Sequence, residues 1–558
     1  MIIKIRENKL LLTFLFTSII LALYPVLNIT GWPNNHEDLF WRNRALLFHS
    51  YFREGIFFPV WDKYDIWGMG SPSALFYHKL FYYVMGILLF ILPTIKSAVV
   101  LSLSFFFIIG WTGIYKILKL LNIENYLRIA FSSLLILLNY TYTDWVIRGA
   151  MAELSAMMLI PWILWWQLNL YKTKTFSFFI VIIFIALYFS HSIIAYYAGV
   201  QLVIAEIIFF AVNRKDIIVV KNCLIRGAIA SVIILLILGL NFYLMTAFMI
   251  NGSYDLKINL SNIKIAISAI YSYHPLIEYF YDKNLLFSEW EKYTVQLDLP
   301  ITIIMCLTYF FLRKNKEKIN FNSQADNLFF IFIVISNFFC AFLQTKLSKF
   351  WYIYIPGADY IQFPWRLLAF ISIYNLILTA WLINTLQKIN KQLMFFAVSV
   401  LFLSVLSLYP GFKKIQYEIF PKEKLENRNH LDYPFGAGEY APYVDKAFEK
   451  LAFKTLDTHF KKIYDKSFMN SVCSIKELPI SNPVVKQIEA TCSQKTDLSI
   501  PVNYSGHEKL LINGQDSQDY IRTGTSDSRI KINNFPKGTN LISIKFPTFI
   551  DILFRDIR

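Results

Sequence analysis

"LLLTFLFTSIILALYPVLNI", residues 10–29, is a run that contains no charged side chain. As one helix of about 20 residues, it is long enough to cross a hydrocarbon core about 30 Å thick. Lys4, Arg6 and Lys9 precede the run, and no small-residue cleavage pattern follows it. The segment therefore predicts an uncleaved signal anchor whose N-terminus stays in the cytoplasm.

The remainder of the chain has the same apolar character, since 56% of its 558 residues are hydrophobic, 18% are aromatic and only 16% are charged. This apolar content exceeds what the core of a soluble protein of this size requires. The composition therefore predicts a multi-pass protein of the plasma (inner) membrane, with an all-α polytopic membrane domain.

Further apolar segments follow the first span, and together they predict about eleven crossings. They lie near residues 97–118, 127–142, 153–170, 176–190, 193–212, 224–249, 298–312, 327–345, 366–386 and 392–410. If the spans alternate in direction, the basic residues between them fall on the cytoplasmic side, as the positive-inside rule requires. These residues are Lys116, Lys119, Lys172, Lys174, Arg214, Lys215, Lys221, the "RKNKEK" run at 313–318, Lys388 and Lys391. Much of the net charge of +16 then reflects topology, and because no nucleic-acid recognition pattern accompanies it, we expect no nucleic-acid partner.

This topology places the large first loop, residues 30–96, on the outer (periplasmic or extracytoplasmic) side of the membrane. An odd number of crossings also exports residues 411–558, where the sequence becomes polar and rich in Asn and Lys. Near its end, "SRIKINNFPKGTNLISIKF" (528–546) alternates apolar and polar residues around a Pro-Lys-Gly break, which predicts two strands and a turn. We therefore predict a membrane domain over residues 1–410, followed by a small exported β-rich domain, for which a β-sandwich is the simplest fold.

The five cysteines divide between these two regions. Cys473 and Cys492 lie in the exported domain, where an oxidising compartment would join them in a disulfide. Cys223, Cys306 and Cys340 lie in or beside predicted spans, and we expect them to be packing residues.

The first candidate site residues lie in "NHEDLFWR", residues 35–42, directly after the first span. His36, Glu37 and Asp38 are near the membrane interface there, where a carboxylate could act on a lipid headgroup. Asp38 and Arg42 are four residues apart, so in a helix they could equally form a routine surface ion pair. Lysines in the other loops are expected to be solvated, as for Lys63, Lys257 and Lys283.

Further polar residues lie at the predicted outer boundary of later spans. Arg148 and Glu153 stand at the start of the fourth span, where a carboxylate is costly unless it faces a cavity or a partner. His191 stands at an outer helix end, where a structural role is favoured over a functional one. Gln362 and Arg366 stand at the outer mouth of the tenth span. Phosphate binding would explain an arginine on the non-cytoplasmic side.

Carboxylates and arginines at the outer interface of an apolar helical body suit a reaction on an amphiphile whose phosphate lies at headgroup depth. In glycosyl transfer from a polyprenyl-phosphate sugar, a carboxylate takes the acceptor's proton during attack on the anomeric carbon, and an arginine stabilises the departing phosphate. A lipid donor needs no nucleotide-binding motif, and the sequence contains neither a Walker A pattern nor a dinucleotide fingerprint. No cofactor is certain. Asp38 and His36 could hold a divalent metal, although two adjacent ligands without spaced partners are weak support for a metal site.

Six stretches, in this order, resemble the landmarks of the bacterial GT-C-like membrane proteins that are often labelled pyruvoyl-tetrahydropterin-synthase-related, relatives of the YfhO-like family. They are "NHEDLFWR", "FFPVWDKYDIWGMGSPSALFY", "IRGAMAELSAMMLIPWILW", "SHSIIAYY", "YIQFPWRLL" and "GAGEYAP". The resemblance extends from the first outer loop to about residue 445, and it implies a GT-C-like fold and a polyprenyl-phosphate-sugar-dependent glycosyltransferase. Pterin chemistry is not implied, because the chain has no His-rich zinc pattern.

The resemblance also assigns roles to residues. In the GT-C class an acidic residue of the first outer loop is usually catalytic, which maps onto Asp38 or Glu37. The chain departs from its relatives in "FYHKLFYY", where His78 and Lys79 replace apolar or proline positions of a Tyr-x-Pro segment and could place a cation near the donor phosphate. The expected substrate-binding residues are His36, Arg42, His78, Lys79, Arg148, Glu153, His191, Gln362, Arg366, Glu439 and Tyr440.

The partners expected for such an enzyme are a polyprenyl-phosphate-linked sugar, membrane lipid, and a cell-envelope glycan, lipid or protein that accepts the sugar. Two other functions would use the same features. A flippase or transporter for the same lipid also needs interfacial arginines and embedded carboxylates, although the sequence has no evident internal repeat or pair of broken helices. A non-catalytic membrane scaffold, in which the β-rich domain is the working part, is the other alternative.

Overall fold

The structure is a computed structural model, and all structural statements below concern the residues that it describes. These are residues 2–27, 32–33, 40–64, 68–251, 298–314, 323–358, 363–408, 419–420, 472–480, 482–504, 506–517, 520–524 and 527–553.

Helices account for most of the described chain. In chain order they are α1 (Ile2–Leu27), α2 (Phe40–Arg53), α3 (Ser73–Phe76), α4 (Leu80–Leu88), α5 (Ile95–Leu120), α6 (Asn125–Ile136), α7 (Asn139–Tyr142), α8 (Met151–Thr173), α9 (Phe179–Ser190), α10 (Ser192–Asn213), α11 (Ile217–Asn251), α12 (Leu299–Lys314), α13 (Gln324–Leu343), α14 (Lys349–Tyr354), α15 (Leu368–Ile389), α16 (Lys391–Leu408) and α17 (Phe549–Leu553). A π-helical turn spans Thr143–Arg148, and 3₁₀ turns span Lys346–Ser348 and Pro364–Leu367.

Six of the described helical segments are long and apolar enough to cross a membrane, which supports the prediction of a membrane protein. They are Lys9–Leu27, Ile95–Leu120, Ser192–Asn213, Ile217–Thr246, Gln324–Leu343 and Pro364–Ile389. Helices also occupy the other predicted segments, but these helices are shorter or less apolar. The number of crossings, about eleven, and the direction of each therefore stay predictions.

The predicted span at residues 127–142 is interrupted in the structure. The helix that begins there ends at Ile136, and the chain continues as α7 and the π-helical turn. At this break, polar groups take up hydrogen bonds that a continuous helix would make internally. The Thr141 hydroxyl donates to a backbone carbonyl at 2.9 Å, and the Asn139 N–H donates to a carboxylate at 2.6 Å. Apolar content alone does not reveal such a break.

Helices α5 and α8 pack closely because glycines of α5 face α8. A Cβ atom at Gly113 would lie 2.7 Å from Pro161 Cβ, and one at Gly110 would collide with Met158 Sδ. Small residues allow close approach of helices in membrane proteins. α5 itself begins with a capping box between Thr94 and Ser97. This packing fixes the position of α8, whose first turn carries Glu153.

The C-terminal region is a β structure of two antiparallel sheets. Its strands are β3 (Cys473–Leu478), β4 (Val485–Cys492), β5 (Thr496–Asn503), β6 (Lys509–Ile512), β7 (Gln515–Asp516), β8 (Tyr520–Gly524), β9 (Asp527–Phe535) and β10 (Gly538–Lys545), while β1 (Trp32–Pro33) pairs with β2 (Ile419–Phe420) elsewhere. The sheet orders are β3-β4-β10-β6-β7 and β5-β9-β8. The two predicted strands, β9 and β10, are confirmed, but they belong to different sheets.

Apolar side chains from both sheets form one core, as expected for strands that alternate in burial. Those that the sequence pattern pointed to are all buried: Ile530, Ile532, Ile542, Ile544 and Phe546. The predicted disulfide is also present, since Cys473 and Cys492 are joined across β3 and β4.

The chain divides into two compact units. The first unit comprises Met1–Trp41, Thr94–Leu235 and Ile267–Glu426, and the second comprises Arg42–Pro93, Leu236–Ala266 and Asn427–Arg558. Residues 42–93 of the first loop thus belong to the same unit as the β region. The division into a membrane domain and an exported domain stays a prediction about topology.

Within the second unit, Lys63 attaches the first loop to the β region. Its Nζ donates to the backbone carbonyls of Ile480, Asn482 and Val485 at 3.1, 2.6 and 3.0 Å, and its side chain is buried. Burial, with a contribution from the charge of Lys486, lowers the pKa of Lys63 to about 8. The expectation that Lys63 is solvated was therefore wrong, because three carbonyls replace water around the ammonium group.

The same expectation for Lys257 and Lys283 falls on residues outside those that the structure describes.

Candidate functional site

Glu153, in the first turn of α8, is the centre of a buried polar cluster in the first unit. Its side chain is 1% exposed, and its Oε2 accepts a hydrogen bond from Arg148 Nη2 at 3.0 Å. Arg366 Nε lies 3.2 Å from the same oxygen. The Tyr140 hydroxyl donates to Oε1 at 2.5 Å. Two arginines thus converge on one carboxylate oxygen, which offsets the cost of burying the charge.

The π-helical turn presents Asp144 and Arg148 on one side, where Asp144 Oδ1 pairs with Arg148 Nη1. Gly149 follows with φ of 73°, a left-handed conformation that favours glycine, and it turns the chain into α8. The Ala150 N–H closes the turn by donating to Asp144 O at 2.8 Å. π-helical turns are rare and are frequent at functional sites.

An indole ring covers the Arg148 guanidinium, whose central carbon lies 4.5 Å from the centre of the Trp365 ring. Trp365 and Arg366 are neighbours in the 3₁₀ turn that opens α15, and Pro364 stands at the first position of this turn. Proline has no N–H to satisfy at a helix start, which suits that position. The Gln-Phe-Pro-Trp-Arg stretch therefore supplies one cation, Arg366, and the aromatic face that covers a second cation, Arg148.

His191 occupies the N-cap position of α10 and approaches Glu153 from another side. Its Nδ1 accepts from the Ile194 N–H at 3.3 Å, which places the proton of the neutral ring on Nε2. Nε2 lies 3.8 Å from Glu153 Oε2. Because Nδ1 accepts the capping hydrogen bond, protonation of His191 would remove the cap of α10. In this tautomer His191 is suited to donating a hydrogen bond and unsuited to acting as a base.

The cluster pairs two guanidinium groups, those of Arg148 and Arg366, with two carboxyl groups, those of Asp144 and Glu153. Asp144 is fully buried, and its Oδ2 has no hydrogen-bond partner among the residues that the structure describes. An anion that enters between the arginines would therefore compete with these carboxylates or require a proton to accompany it.

The structure brings together four of the predicted site residues in this cluster: Arg148, Glu153, His191 and Arg366. Three others belong to the second unit, namely Arg42, His78 and Lys79. The remaining six, His36, Glu37, Asp38, Gln362, Glu439 and Tyr440, lie outside the described residues.

The second-unit residues have partners of their own. Arg42 Nη1 donates to Asn43 Oδ1 at 2.6 Å, and the His78 ring lies 5.0 Å from the Tyr77 ring. Lys79 Nζ donates to Asn241 Oδ1 at 3.1 Å. Burial, followed by the nearby charge of Arg44, lowers the pKa of Lys79 to about 7. At neutral pH Lys79 is therefore only partly charged.

No group of three or more His, Cys, Asp or Glu side chains suited to a metal ion occurs in the part of the chain that the structure describes. The proposed pair of His36 and Asp38 falls outside that part.

Sequence reasoning did not identify Tyr140, Asp144 or Trp365 as members of the cluster. Asp144 carried a usable signal, because it precedes Arg148 by four residues in an otherwise apolar stretch. Trp365 is adjacent to a predicted residue, but adjacency does not predict a ring above a distant guanidinium. Tyr140 carried no signal, since one tyrosine among many is unremarkable in an aromatic-rich chain.

Comparison with known proteins gives no further assignment: no protein-family model matches the chain, and no curated protein matches it by sequence. The resemblance to GT-C-like membrane proteins stays a prediction that rests on the six quoted stretches.

Proposed function

We propose that the protein is a membrane glycosyltransferase that transfers a sugar from a polyprenyl-phosphate donor to an acceptor on the outer face of the membrane. The single observation that carries the proposal is the convergence of Arg148 and Arg366 on one oxygen of Glu153, at 3.0 and 3.2 Å. Two guanidinium groups so close together form a site that fits the oxygens of a phosphate, which arginine binds through paired N–H groups.

The apolar helices around this cluster favour a lipid over a water-soluble anion. Glu153 is embedded in α8, and Arg366 opens the segment Pro364–Ile389, which is apolar enough to span a membrane. A charged residue in such a setting marks a functional site by default. A phosphate that carries a polyprenyl chain can place its charge on the arginines and its tail among apolar side chains.

In this mechanism the acceptor hydroxyl attacks the anomeric carbon while the bond from that carbon to the phosphate oxygen breaks. A carboxylate of the first loop, Asp38 or Glu37, takes the hydroxyl proton, as the resemblance implies. Arg148 and Arg366 stabilise the negative charge that develops on the departing polyprenyl phosphate. Glu153 holds the two guanidinium groups together before the donor enters, and His191 Nε2 lies 3.8 Å from its Oε2.

The proposal can be tested with purified protein in nanodiscs. Farnesyl phosphate serves as the binding probe, and undecaprenyl-phosphate glucose serves as the first donor for turnover. Arg366→Ala should weaken farnesyl phosphate binding about 10- to 100-fold, because one charge-assisted contact is lost. Arg366→Lys should restore part of the affinity, since lysine keeps the charge without the planar fork. Arg226→Ala is the matched control, an exposed arginine of α11 outside the cluster.

Turnover separates the rival functions. Asp38→Asn and Glu37→Gln should suppress release of undecaprenyl phosphate about 10²- to 10⁴-fold while sparing donor binding, because proton transfer occurs only in the transition state. Movement of the lipid across the bilayer without cleavage would favour the flippase. Unchanged affinity in the double variant Arg148→Ala/Arg366→Ala would overturn the role of the cluster. Lipid-extract mass spectrometry of a deletion strain would identify the sugar and its acceptor.

A further inference from the structure

Asp298, the residue before α12, is a second buried carboxylate of the first unit, and its partners differ from those of Glu153. It is 6% exposed, and it forms no ion pair with any residue in the described ranges. Both of its oxygens instead accept from neutral donors. Oδ1 accepts from the Asn139 N–H at 2.6 Å, and Oδ2 accepts from the Ser372 hydroxyl at 2.7 Å. A buried carboxylate with such partners needs an explanation other than charge pairing.

The first contact caps a helix. Asn139 is the first residue of α7, and the N-cap residue of this helix, Leu138, has no side-chain acceptor to offer. Asp298 supplies the missing acceptor from a distant part of the sequence. A carboxylate at a helix N-terminus satisfies a free N–H group and interacts favourably with the helix dipole. α7 continues directly into the π-helical turn, so this cap holds the segment that carries Tyr140 and Arg148.

The second contact holds the other arginine-bearing element. Ser372 lies in α15, and Arg366 lies in the 3₁₀ turn that leads into the same helix. A further contact one turn along each helix supports the alignment, because Asn375 Nδ2 lies 3.4 Å from Thr302 Oγ1. The two oxygens of Asp298 therefore join the segment that carries Arg148 to the helix that follows Arg366.

We propose that Asp298 is a positioning residue that sets the spacing between the guanidinium groups of Arg148 and Arg366. It touches neither guanidinium group and acts through Asn139 and Ser372. The inference rests on the proposed function in one respect, namely that the anion which the two arginines bind is a lipid phosphate. The alignment of the two segments by Asp298 is independent of the identity of that anion.

The variants Asp298→Leu and Asp298→Asn test whether the hydrogen bonds of Asp298 align the two segments or whether its side chain only fills a buried space. Leucine removes both acceptors. Asparagine keeps an oxygen for the Asn139 N–H, and its amide group can donate to the Ser372 oxygen. Hydrogen–deuterium exchange of the nanodisc-embedded protein is the first readout. In Asp298→Leu, the amides of residues 139–150 and 363–372 should exchange faster, while those of α5 stay unchanged. In Asp298→Asn, both segments should return to the wild-type rate.

Farnesyl phosphate affinity is the second readout. Asp298→Leu should weaken binding about tenfold or more, because the two arginines no longer reach the same phosphate, and Asp298→Asn should restore it. Ser372→Ala, which removes one of the two contacts, should give an intermediate affinity.

The outcomes distinguish this inference from the proposed function. Unchanged exchange in Asp298→Leu would overturn the inference. Faster exchange with wild-type affinity for farnesyl phosphate would also overturn it, because Asp298 would then be a helix cap without a role in anion binding. A uniform rise in exchange that includes α5 would also overturn it. If the wild-type protein does not bind farnesyl phosphate, the lipid-phosphate function fails, and the exchange data still decide whether Asp298 aligns the two segments.

Discussion

The guanidinium carbon of Arg148 lies 4.5 Å from the centre of the Trp365 ring, so the residue before Arg366 covers Arg148. A buried cation over an indole face contributes about 1–2 kcal/mol. Trp365→Leu should therefore lower farnesyl phosphate affinity several-fold, because Arg148 loses the surface that orients it, and Trp365→Phe should retain most of it.

The comparison needs a tryptophan that is equally buried but outside the cluster. Trp111 is 2% exposed, and its indole N–H donates to Ser133 Oγ at 3.1 Å. Trp111→Leu should lower the melting temperature without changing the affinity. If the two leucine variants lose affinity equally, the effect of Trp365→Leu is general destabilisation.

Glu153→Gln should bind farnesyl phosphate more tightly than the wild type. The substitution removes the carboxylate that competes with a phosphate for Arg148 and Arg366, and it leaves the two cations with one acidic partner, Asp144. The same change should lower the melting temperature, since breaking a buried ion pair costs about 3–5 kcal/mol. Calorimetric titration measures the first effect and thermal unfolding measures the second.

Glu206→Gln is the matched control, because Glu206 is a half-buried carboxylate of α10 outside the cluster. Its substitution should leave the affinity unchanged. Weaker binding in Glu153→Gln would mean that holding the two guanidinium groups together outweighs the competition of the carboxylate with the anion.

The stability of the protein should depend on pH through Lys79. Its pKa is lowered by burial to about 7 in the folded protein, from an ordinary value of 10.5. Between these two values the unfolded chain binds more protons, so stability rises with pH, by up to about 1.4 kcal/mol per pH unit. Relative to Lys79→Met, the wild type should gain about 2 kcal/mol between pH 7.5 and 9.

Thermal unfolding at a series of pH values measures this difference. Lys79→Arg is the companion variant, because arginine cannot lose its proton and should show no such gain. Parallel pH profiles for the wild type and Lys79→Met would contradict the assigned pKa.

The disulfide between Cys473 and Cys492 should stabilise the β region. The two residues are 19 apart in sequence, and closing a loop of this length contributes about 3 kcal/mol in the chain-entropy account. Reduction should lower the melting temperature, and mass spectrometry after alkylation of native membranes should find this pair protected. In a sample that is denatured and reduced before alkylation, both cysteines should be modified. Two alkylated thiols at positions 473 and 492 would indicate a reducing compartment.

The topology can be tested by labelling introduced cysteines in a variant that lacks Cys223, Cys306 and Cys340. Glu54 and Arg214 are exposed in the structure, whereas Ser71 is fully buried and would be a poor labelling site. A cysteine at position 54 should react with a membrane-impermeant maleimide in intact cells. A cysteine at position 214 should react only after permeabilisation. The reverse pattern would place the first loop in the cytoplasm and remove the basis for an outer-face reaction.

Local pattern predicts part of this fold. Alternation around Pro536 correctly predicts β9 and β10, because each strand has one face in the core. It does not predict that they belong to different sheets, with β10 paired to β4 and β6. Strand pairing depends on contacts between distant segments, and such contacts leave no trace in the spacing of apolar residues.

The candidate site, like the fold, could be predicted only in part from local sequence pattern. Arg148, Glu153 and Arg366 could be identified because a charged residue in an apolar segment is costly and therefore conspicuous. Asp298 also begins a predicted apolar segment, but the sequence does not reveal its role. Its partners are a backbone N–H and a serine hydroxyl on distant segments, and neither residue type is unusual in a membrane helix.

The π-helical turn at Thr143–Arg148 sets the direction in which the Arg148 side chain leaves the backbone. A π turn contains one residue more than an α-helical turn, and each residue of an α-helix rotates the chain by about 100°. Deleting one residue between Asp144 and Arg148 would restore α-helical winding and swing the guanidinium around the axis by about that angle, away from Glu153. The angular register of this arginine is therefore encoded by the number of residues in one turn, and an insertion or deletion there can redirect it while every charged group is kept.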